Sequence, residues 1–414
     1  MQIYLVGGAV RDNLLGHPVT DKDYVVVGAT EQQMLDLGYV RVGKDFPVFL
    51  HPKTKHEYAL ARTERKTGKG YTAFVCDSSP QVTLEEDLIR RDLTVNAMAM
   101  DEHGNLIDPF NGQQDLSQRI LRHVSDAFIE DPLRVLRVAR FAARYNEYGF
   151  AIHNDTLKLM RDIAKTKELE ALSAQRVWQE TAKSLGENRP EIYFTVLKAV
   201  DALRYWFPEL NKLWGIPNPS TWHPEIDTGV HTMMVLQQAV MMSQDIDVRF
   251  AALVHDLGKA LTDTTNWPSH HGHDTLGLPA IEACCKRLLV PNDCRDLALL
   301  TSEHHSLIHR LYTQSAEAVL NLFNRADVWR KPERFEKLLT VCKADFLGRK
   351  YFSARAYPQK PDLIWLSRKC AKVTAKTFVE KGLTGVAIKQ GIEEERIRII
   401  HQFLQREHEQ TLKI

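Results

Sequence analysis

Three groups of residues in this 414-residue chain have types and spacings suited to chemistry. The first is a pair of carboxylates, Asp21 and Asp23, at the head of the apolar run Tyr24-Val25-Val26-Val27. Strand side chains alternate with a period of two, which predicts that both carboxylates share a face. Two hard oxygen ligands side by side suit magnesium, which is held by one or two carboxylates together with substrate phosphates. Upstream, Ile3-Tyr4-Leu5-Val6 reads as a buried strand, Gly7-Gly8 lets backbone approach a ligand, and Ala9 to Leu15 reads as a helix. That layout suits a phosphate: backbone N–H groups and the positive end of the helix dipole favour an anion beside Gly8, and Arg11 adds a full charge one turn in. A plain turn and a solvated strand entry are the competing readings of the two halves.

The second group follows Asp131-Pro132. Asp131 is a good N-cap and Pro132 suits the first helical position, which explains why a helix starts there. It does not explain the arginines that follow. At 100° per residue, Arg134, Arg137, Arg140 and Arg144 fall within an arc of roughly 120° on one face. Like charges at three- and four-residue spacing repel. Either a bound anion or acids from neighbouring elements must offset them. The third group is histidine: nine of the seventeen lie between His223 and His309. His231 opens a helix after Asp227-Thr228-Gly229, and His255-Asp256 ends an apolar helix before Gly258. His270-His271-Gly272-His273-Asp274 and Glu303-His304-His305 follow. One such histidine is ordinarily core or surface, but a cluster with carboxylates suits a transition metal: nickel, cobalt, manganese, iron or zinc.

These groups need elements to position them. Up to about residue 110 the pattern predicts short strands over 3–6, 24–27, 46–50, 57–60 and 106–107; from about 115 it is helical almost to the end. Glu57, Ala59 and Ala61 alternate onto one strand face. Residues 65–71, basic and glycine-rich, read as a loop able to close over substrate. The run from Leu88 to Ala99 holds Leu88, Leu93, Val95 and Ala97 at spacings no single helix explains. Residues 150–215 are amphipathic helix without evident chemistry, suited to scaffolding and RNA docking. With 54 basic and 53 acidic residues, no global field drives the chain onto nucleic acid or anionic membrane, so RNA contacts must come from local patches. Six cysteines without Cys-x-x-Cys spacing fit a reducing compartment. The apolar run before Gly7 is too short for a signal peptide and no stretch approaches a membrane helix, so the expected location is cytoplasmic.

The glycine pair followed by paired aspartates resembles the nucleotidyltransferases of the DNA polymerase beta superfamily. Arg90-Arg91-Asp92-Leu93-Thr94-Val95-Asn96-Ala97 and Glu130-Asp131-Pro132-Leu133-Arg134 are similar to the Arg-Arg-Asp-x-Thr-x-Asn-Ala and Glu-Asp-x-x-Arg motifs of the class II tRNA nucleotidyltransferases and bacterial poly(A) polymerases. His231, His255-Asp256 and a later aspartate resemble the HD superfamily of metal-dependent phosphohydrolases. Together these resemblances span nearly the whole chain. They imply an α+β fold: a small N-terminal α/β nucleotidyltransferase head with a mixed β-sheet over 1–115, an all-α neck and body over 116–215, an all-α HD domain over 216–350, and a helical tail over 351–414.

By the same resemblance Asp21 and Asp23 are catalytic and hold magnesium, while Gly8, Arg11, Arg91, Asp131, Arg134, Arg137 and Arg140 bind ATP or CTP. Asp131 and Arg134 would face the Watson–Crick edge of the base, and Glu57 is either a third carboxylate near the metal or an exposed strand acid. His231, His255, Asp256 and Asp345 would hold the second metal, nickel foremost, with His270, His271 or His305 enlarging the set or replacing Asp345. The implied activity is template-free addition of CCA to tRNA from CTP and ATP. An HD phosphatase, 2′-nucleotidase and 2′,3′-cyclic phosphodiesterase would accompany it, in a monomer or homodimer with no membrane partner. A poly(A) polymerase and a non-catalytic RNA-binding or nucleotide-sensing protein are the alternatives. The mixed charges of residues 390–414 argue against the first, and the intact Asp21/Asp23 pair against the second.

Overall fold

A computed structural model describes residues 1–19, 21–42, 47–66 and 74–411, and the chain divides into two compact units, Met1–Trp206 and Phe207–Ile414.

The first unit begins with β1 (Gln2–Val6), α1 (Gly8–Leu14), β2 (Asp23–Val27), α2 (Glu31–Asp36), β3 (Val40–Arg41), β4 (Val48–Leu50) and β5 (Glu57–Leu60). It continues with β6 (Thr63–Lys66), β7 (Phe74–Asp77), α3 (Leu84–Ile89), β8 (Ala99–Met100) and β9 (Leu106–Ile107). Among the described residues, seven of these strands form one sheet in the order β3-β4-β5-β2-β1-β8-β9, and β6 pairs with β7. The sheet is mixed: β2 and β5 run parallel, and the other neighbours are antiparallel. Alternation sends Val25 and Val26 to opposite faces. Val25 packs with Val6, Leu88, Ala97 and Ala99, whereas Val26 packs with Met34, Phe49 and Leu60.

Strands appear where the apolar runs predict them, with Phe46 outside the described residues. The two-residue strands β3 and β8 are too short to leave a periodic signal. The expected substrate loop starts inside β6, and its residues 67–71 lie outside the described residues. The stretch without a helical period proves to cross three local structures. Thr83 caps α3, a 3₁₀ turn covers Thr94–Asn96, and β8 follows, with Leu88, Leu93, Val95 and Ala97 all buried. Gly112 starts α4 (Gly112–Gln118) so close to that turn that a Cβ would sit 2.3 Å from the Thr94 carbonyl oxygen.

Beyond it come β10 (Ile120–Leu121), α5 (Leu133–Tyr145), β11 (Ala151–Ile152), α6 (Asn154–Lys165), α7 (Ala174–Leu185), α8 (Pro190–Ala199) and α9 (Leu203–Trp206), with α5 packed on α7 and α8. The start of α5 differs from expectation by one residue. A 3₁₀ turn, Asp126–Glu130, precedes it and Pro132 occupies the cap, although the Asp131 carboxylate still accepts the Leu133 N–H at 3.1 Å.

The second unit is helical: α10 (Pro208–Asn211), α11 (Thr228–Met242), α12 (Ile246–Val254), α13 (His273–Leu288), α14 (Asn292–His309), α15 (Ala316–Arg325), α16 (Pro332–Leu347), α17 (Gln359–Ala371), α18 (Ala375–Val379) and α19 (Val386–Thr411). Helices α11, α12, α14 and α16 pack on one another, α13 lies on α14, and α15 and α17 rest on α19. Among the described residues no helix is long and apolar enough to cross a membrane, and no cysteine forms a disulfide.

Candidate active site and metal centre

In the first unit, the end of β1, the start of β2, the turn after α3 and one face of α5 surround a cleft of about 550 Å³. Among the described residues, nine arginines and four carboxylates line it, so its field attracts anions. Gly7 caps α1 at φ 67°, a region that favours glycine, and a Cβ there would lie 3.1 Å from Arg91 Nη1. Small residues here let the arginine reach the backbone.

Every predicted nucleotide-binding residue (Gly8, Arg11, Arg91, Asp131, Arg134, Arg137 and Arg140) lines this one cleft, as does Asp23. Asp21 does not. Strand β2 starts at Asp23, so the alternation that predicts a shared face does not extend to Asp21, which is exposed just before the strand. Its charge nonetheless acts on Asp23. Asp23 is exposed by surface area, yet crowding by protein raises its pKa, with Arg91 opposing and Asp21 adding to the shift. Parallel pairing of β2 and β5 sets Glu57 beside Asp23. Among the described residues Asp21, just outside the cleft, and Asp23 and Glu57 within it make no hydrogen bond or ion pair, whereas the two remaining acids of the cleft, Asp92 and Asp131, are held by arginine. Unpaired carboxylates in an arginine-rich cleft fit a cation shared with a bound polyphosphate.

The arginine face of α5 meets both explanations foreseen for it. It lines the cleft, and acids from elsewhere hold it. Arg137 Nε donates to Asp92 Oδ2 at 2.8 Å, and Arg140 Nε donates to buried Glu180 Oε2 of α7 at 2.6 Å. Arg140 also lies over the Phe141 ring at 4.4 Å. Arg134 donates to the backbone carbonyls of Ala127 and Arg90. Asp131 Oδ2 accepts from Arg176 of α7 at 2.8 Å. Arg11 is buried, donates to Asp12 and Asn96, and packs on Tyr145 at 5.0 Å. Asp92 closes the motif by accepting from Leu93 N and Asn96 Nδ2.

Burial alone would raise the Asp92 pKa, but Arg137 and Asn96 outweigh it and the carboxyl is held below its usual range. A depressed pKa stabilises the fold above the unfolded value near 3.9 and loses that contribution as pH falls. Asp92→Asn is therefore expected to cost roughly 2 kcal/mol near neutrality, discounted because Arg137 keeps some water. In urea unfolding at stepped pH, the gap from wild type should narrow progressively as pH falls below about 4, through the depressed pKa of Asp92.

The second unit gathers His231 (α11), His255 and Asp256 (after α12) and Asp345 (α16) into one buried cluster. His231 Nε2 lies 2.9 Å from Asp345 Oδ1, His255 Nε2 lies 3.3 Å from Asp256 Oδ2, and the His255–Asp345 separation is 3.8 Å. Of the alternatives, His305 joins the cluster, with Nε2 3.6 Å from Asp256 Oδ1. His270 does not, because its ring bonds Thr262 and the Pro217 carbonyl, and His271 is exposed. Residues outside the expected ligand set complete the cluster. His273 Nε2 is 3.1 Å from His305 Nε2, His309 Nε2 is 2.5 Å from Asp345 Oδ2, and Glu225 Oε1 is 2.8 Å from His231 Nδ1. Among the described residues, every group of three or more such side chains close enough to share an ion lies in this unit.

Burial opposes charge on His255, but Asp256 and Asp345 outweigh it and push its pKa up to about 9; for His309 burial prevails over Asp345 and the value falls to about 4. His255 Nε2 and Asp256 Oδ1 are buried without a hydrogen-bond partner. Buried polar atoms left unpaired cost free energy, and imidazole with carboxylate suits a divalent transition ion between them.

Three family models match successive parts of the chain. Residues 3–122 match the poly A polymerase head domain family, 149–213 the family described as a probable RNA- and SrmB-binding site of polymerase A, and 228–345 the HD domain family. The chain is 61% identical to the multifunctional CCA protein of Pseudoalteromonas atlantica, covering 97% of this chain and 99% of that one. It is 55% identical to the one from Shewanella frigidimarina, covering 97% of each. The fold is similar to that of the Bacillus stearothermophilus CCA-adding enzyme solved with CTP, at TM-score 0.65 and 24% identity over 99% of this chain and 94% of that one.

Proposed function

Because the chain belongs to the family of multifunctional CCA proteins, we propose that it adds and repairs the 3′-terminal CCA of tRNA in the cytoplasm, using CTP and ATP without a nucleic-acid template. The observation that carries this reading is the single cleft in which unpaired Asp23 faces the arginines of α5. The tRNA 3′-hydroxyl attacks the α-phosphate of each nucleotide and pyrophosphate leaves. Gly8, Arg11, Arg91, Arg137 and Arg140 hold the triphosphate through backbone N–H and guanidinium donors. Magnesium held by Asp21 and Asp23 would supply Lewis-acid stabilisation of the charge developing at the α-phosphate. Asp131 accepts from the exocyclic amine of cytosine or adenine, and Arg134 donates to the ring acceptors, so protein side chains replace a template. The head, neck and body, HD domain and tail keep the bounds 1–115, 116–215, 216–350 and 351–414 in this proposal.

The HD domain is further proposed to act as phosphatase, 2′-nucleotidase and 2′,3′-cyclic phosphodiesterase, with His231, His255, Asp256 and Asp345 as ligands of a metal, nickel foremost. That ion would polarise the phosphate and activate water. The decisive experiment is to incubate the protein with tRNA lacking its 3′ end plus CTP and ATP, then sequence the product. Added CCA is the expected result, and a run of adenylates would point to a poly(A) polymerase instead.

Asp131→Ala should blur selection among CTP, ATP, UTP and GTP more than it weakens triphosphate binding. It also removes the contact to Leu133 N and the partner of Arg176, at about 1 kcal/mol for the cap. Asp131→Asn keeps a good cap, so misincorporation by both variants supports base reading. Unchanged selectivity in both would leave Asp131 as a cap alone.

A further inference from the structure

We propose that Arg349, with Trp222 on the same cavity, is the nucleotide-gripping residue of the second unit, Arg349 taking a phosphate monoester and Trp222 the base. This rests on the phosphohydrolase reading above. A cavity of about 470 Å³ opens beside the histidine cluster, with His273 and His309 in its wall. Three cations line it, Lys259, Arg310 and Arg349, against one carboxylate, Asp274. Lys259 is committed: its Nζ bonds Asp256 Oδ2 at 2.8 Å and Asn218 Oδ1 at 3.0 Å. Arg310 Nε donates to the Ser306 carbonyl.

Arg349 differs from both. Its side chain is only 11% exposed, yet among the described residues its guanidinium donates no hydrogen bond, and Nε is buried without a partner. Its nearest carboxylate oxygen, Asp345 Oδ2 at 4.0 Å, is already met by His309 at 2.5 Å. The guanidinium carbon instead lies 5.5 Å from the Phe346 ring centroid and 6.0 Å from that of Phe352. A largely buried guanidinium that donates no hydrogen bond, with its Nε–H desolvated and unused, is costly unless an anion takes its donors. Aromatic packing holds the fork, four residues beyond Asp345, at the edge of the cluster where a phosphate would be attacked. Non-bridging phosphate oxygens match such a fork in pairs.

A free phosphate would need nothing more. The same cavity, however, is lined by Trp222, which is 60% exposed, and a bare indole beside an anion grip is what a nucleobase stacks upon. The class of ligand is therefore a nucleoside monophosphate.

Equilibrium dialysis of 2′-AMP against full-length wild type, Arg349→Lys, Arg349→Gln and Trp222→Ala in nickel buffer, with metal per chain measured, tests the assignment. The head is unchanged in these variants, so differences in bound 2′-AMP report this cavity. Both Arg349 variants should weaken binding, and raise KM for 2′-AMP, roughly tenfold to a hundredfold with metal content unchanged, because lysine keeps the charge but not the fork. Trp222→Ala should raise KM for 2′-AMP and leave KM for glycerol 2-phosphate as it was. Binding and KM indifferent to Arg349, or a loss accounted for by lost metal, overturn the proposal. A wild type that binds 2′-AMP through Arg349 yet hydrolyses nothing would overturn the phosphohydrolase reading instead and leave this contact standing.

Discussion

Asp23→Ala lowers nucleotide addition by roughly a thousandfold, the expected loss when several kcal/mol of charge stabilisation at the α-phosphate goes with a metal ligand. Asp23 stands at the first residue of β2, unpaired, with Glu57 beside it on β5 and the charge of Asp21 acting on it. Asp21→Ala is expected to have the same consequence. Release of phosphate from a 2′-nucleotide should persist in both variants, since the candidate ligands for that reaction belong to Phe207–Ile414. Primer extension on tRNA lacking its 3′ end measures the first effect. Survival of addition within about tenfold, a 1.4 kcal/mol effect, would remove Asp23 from the metal site.

The second large effect is expected at the histidine cluster. Asp256→Ala should abolish metal-stimulated release of phosphate from a 2′-nucleotide and opening of a 2′,3′-cyclic phosphate, and His255→Ala should do the same. Asp256 is within 3.6 Å of His255, His273 and His305, so its loss leaves three imidazoles without the carboxylate that gathers them. Metal bound per chain should fall in parallel. Titration of the chelated protein should favour nickel, cobalt and manganese over magnesium at this site, because imidazole is a poor ligand for the harder ion. Addition to a tRNA with a free 3′-hydroxyl should remain close to normal in both variants. A wild type that binds no transition metal and hydrolyses none of these esters would make the cluster structural.

What the sequence alone determined was local geometry. Helix periodicity placed Arg134, Arg137, Arg140 and Arg144 on one face, and all four line the cleft, because 100° per residue follows from backbone hydrogen bonding whatever packs outside. Strand alternation likewise sent Val25 and Val26 to different cores. The same rule does not reach Asp21, since it applies only within the strand and β2 begins two residues later. Density of histidine between His223 and His309 marked the second site but not its members.

His270 and His273 are three residues apart and alike in sequence. Only the fold turns the first at φ 50° toward Thr262 and Pro217, and starts α13 at the second so that it meets His305 on α14. Glu180, 40 residues from Arg140, and Arg176, 45 residues from Asp131, left no trace at all. Both sit on α7, whose own pattern records just a helix with a buried side. Which acid neutralises which arginine depends on the packing of α7 against α5, a long-range choice that no local spacing encodes.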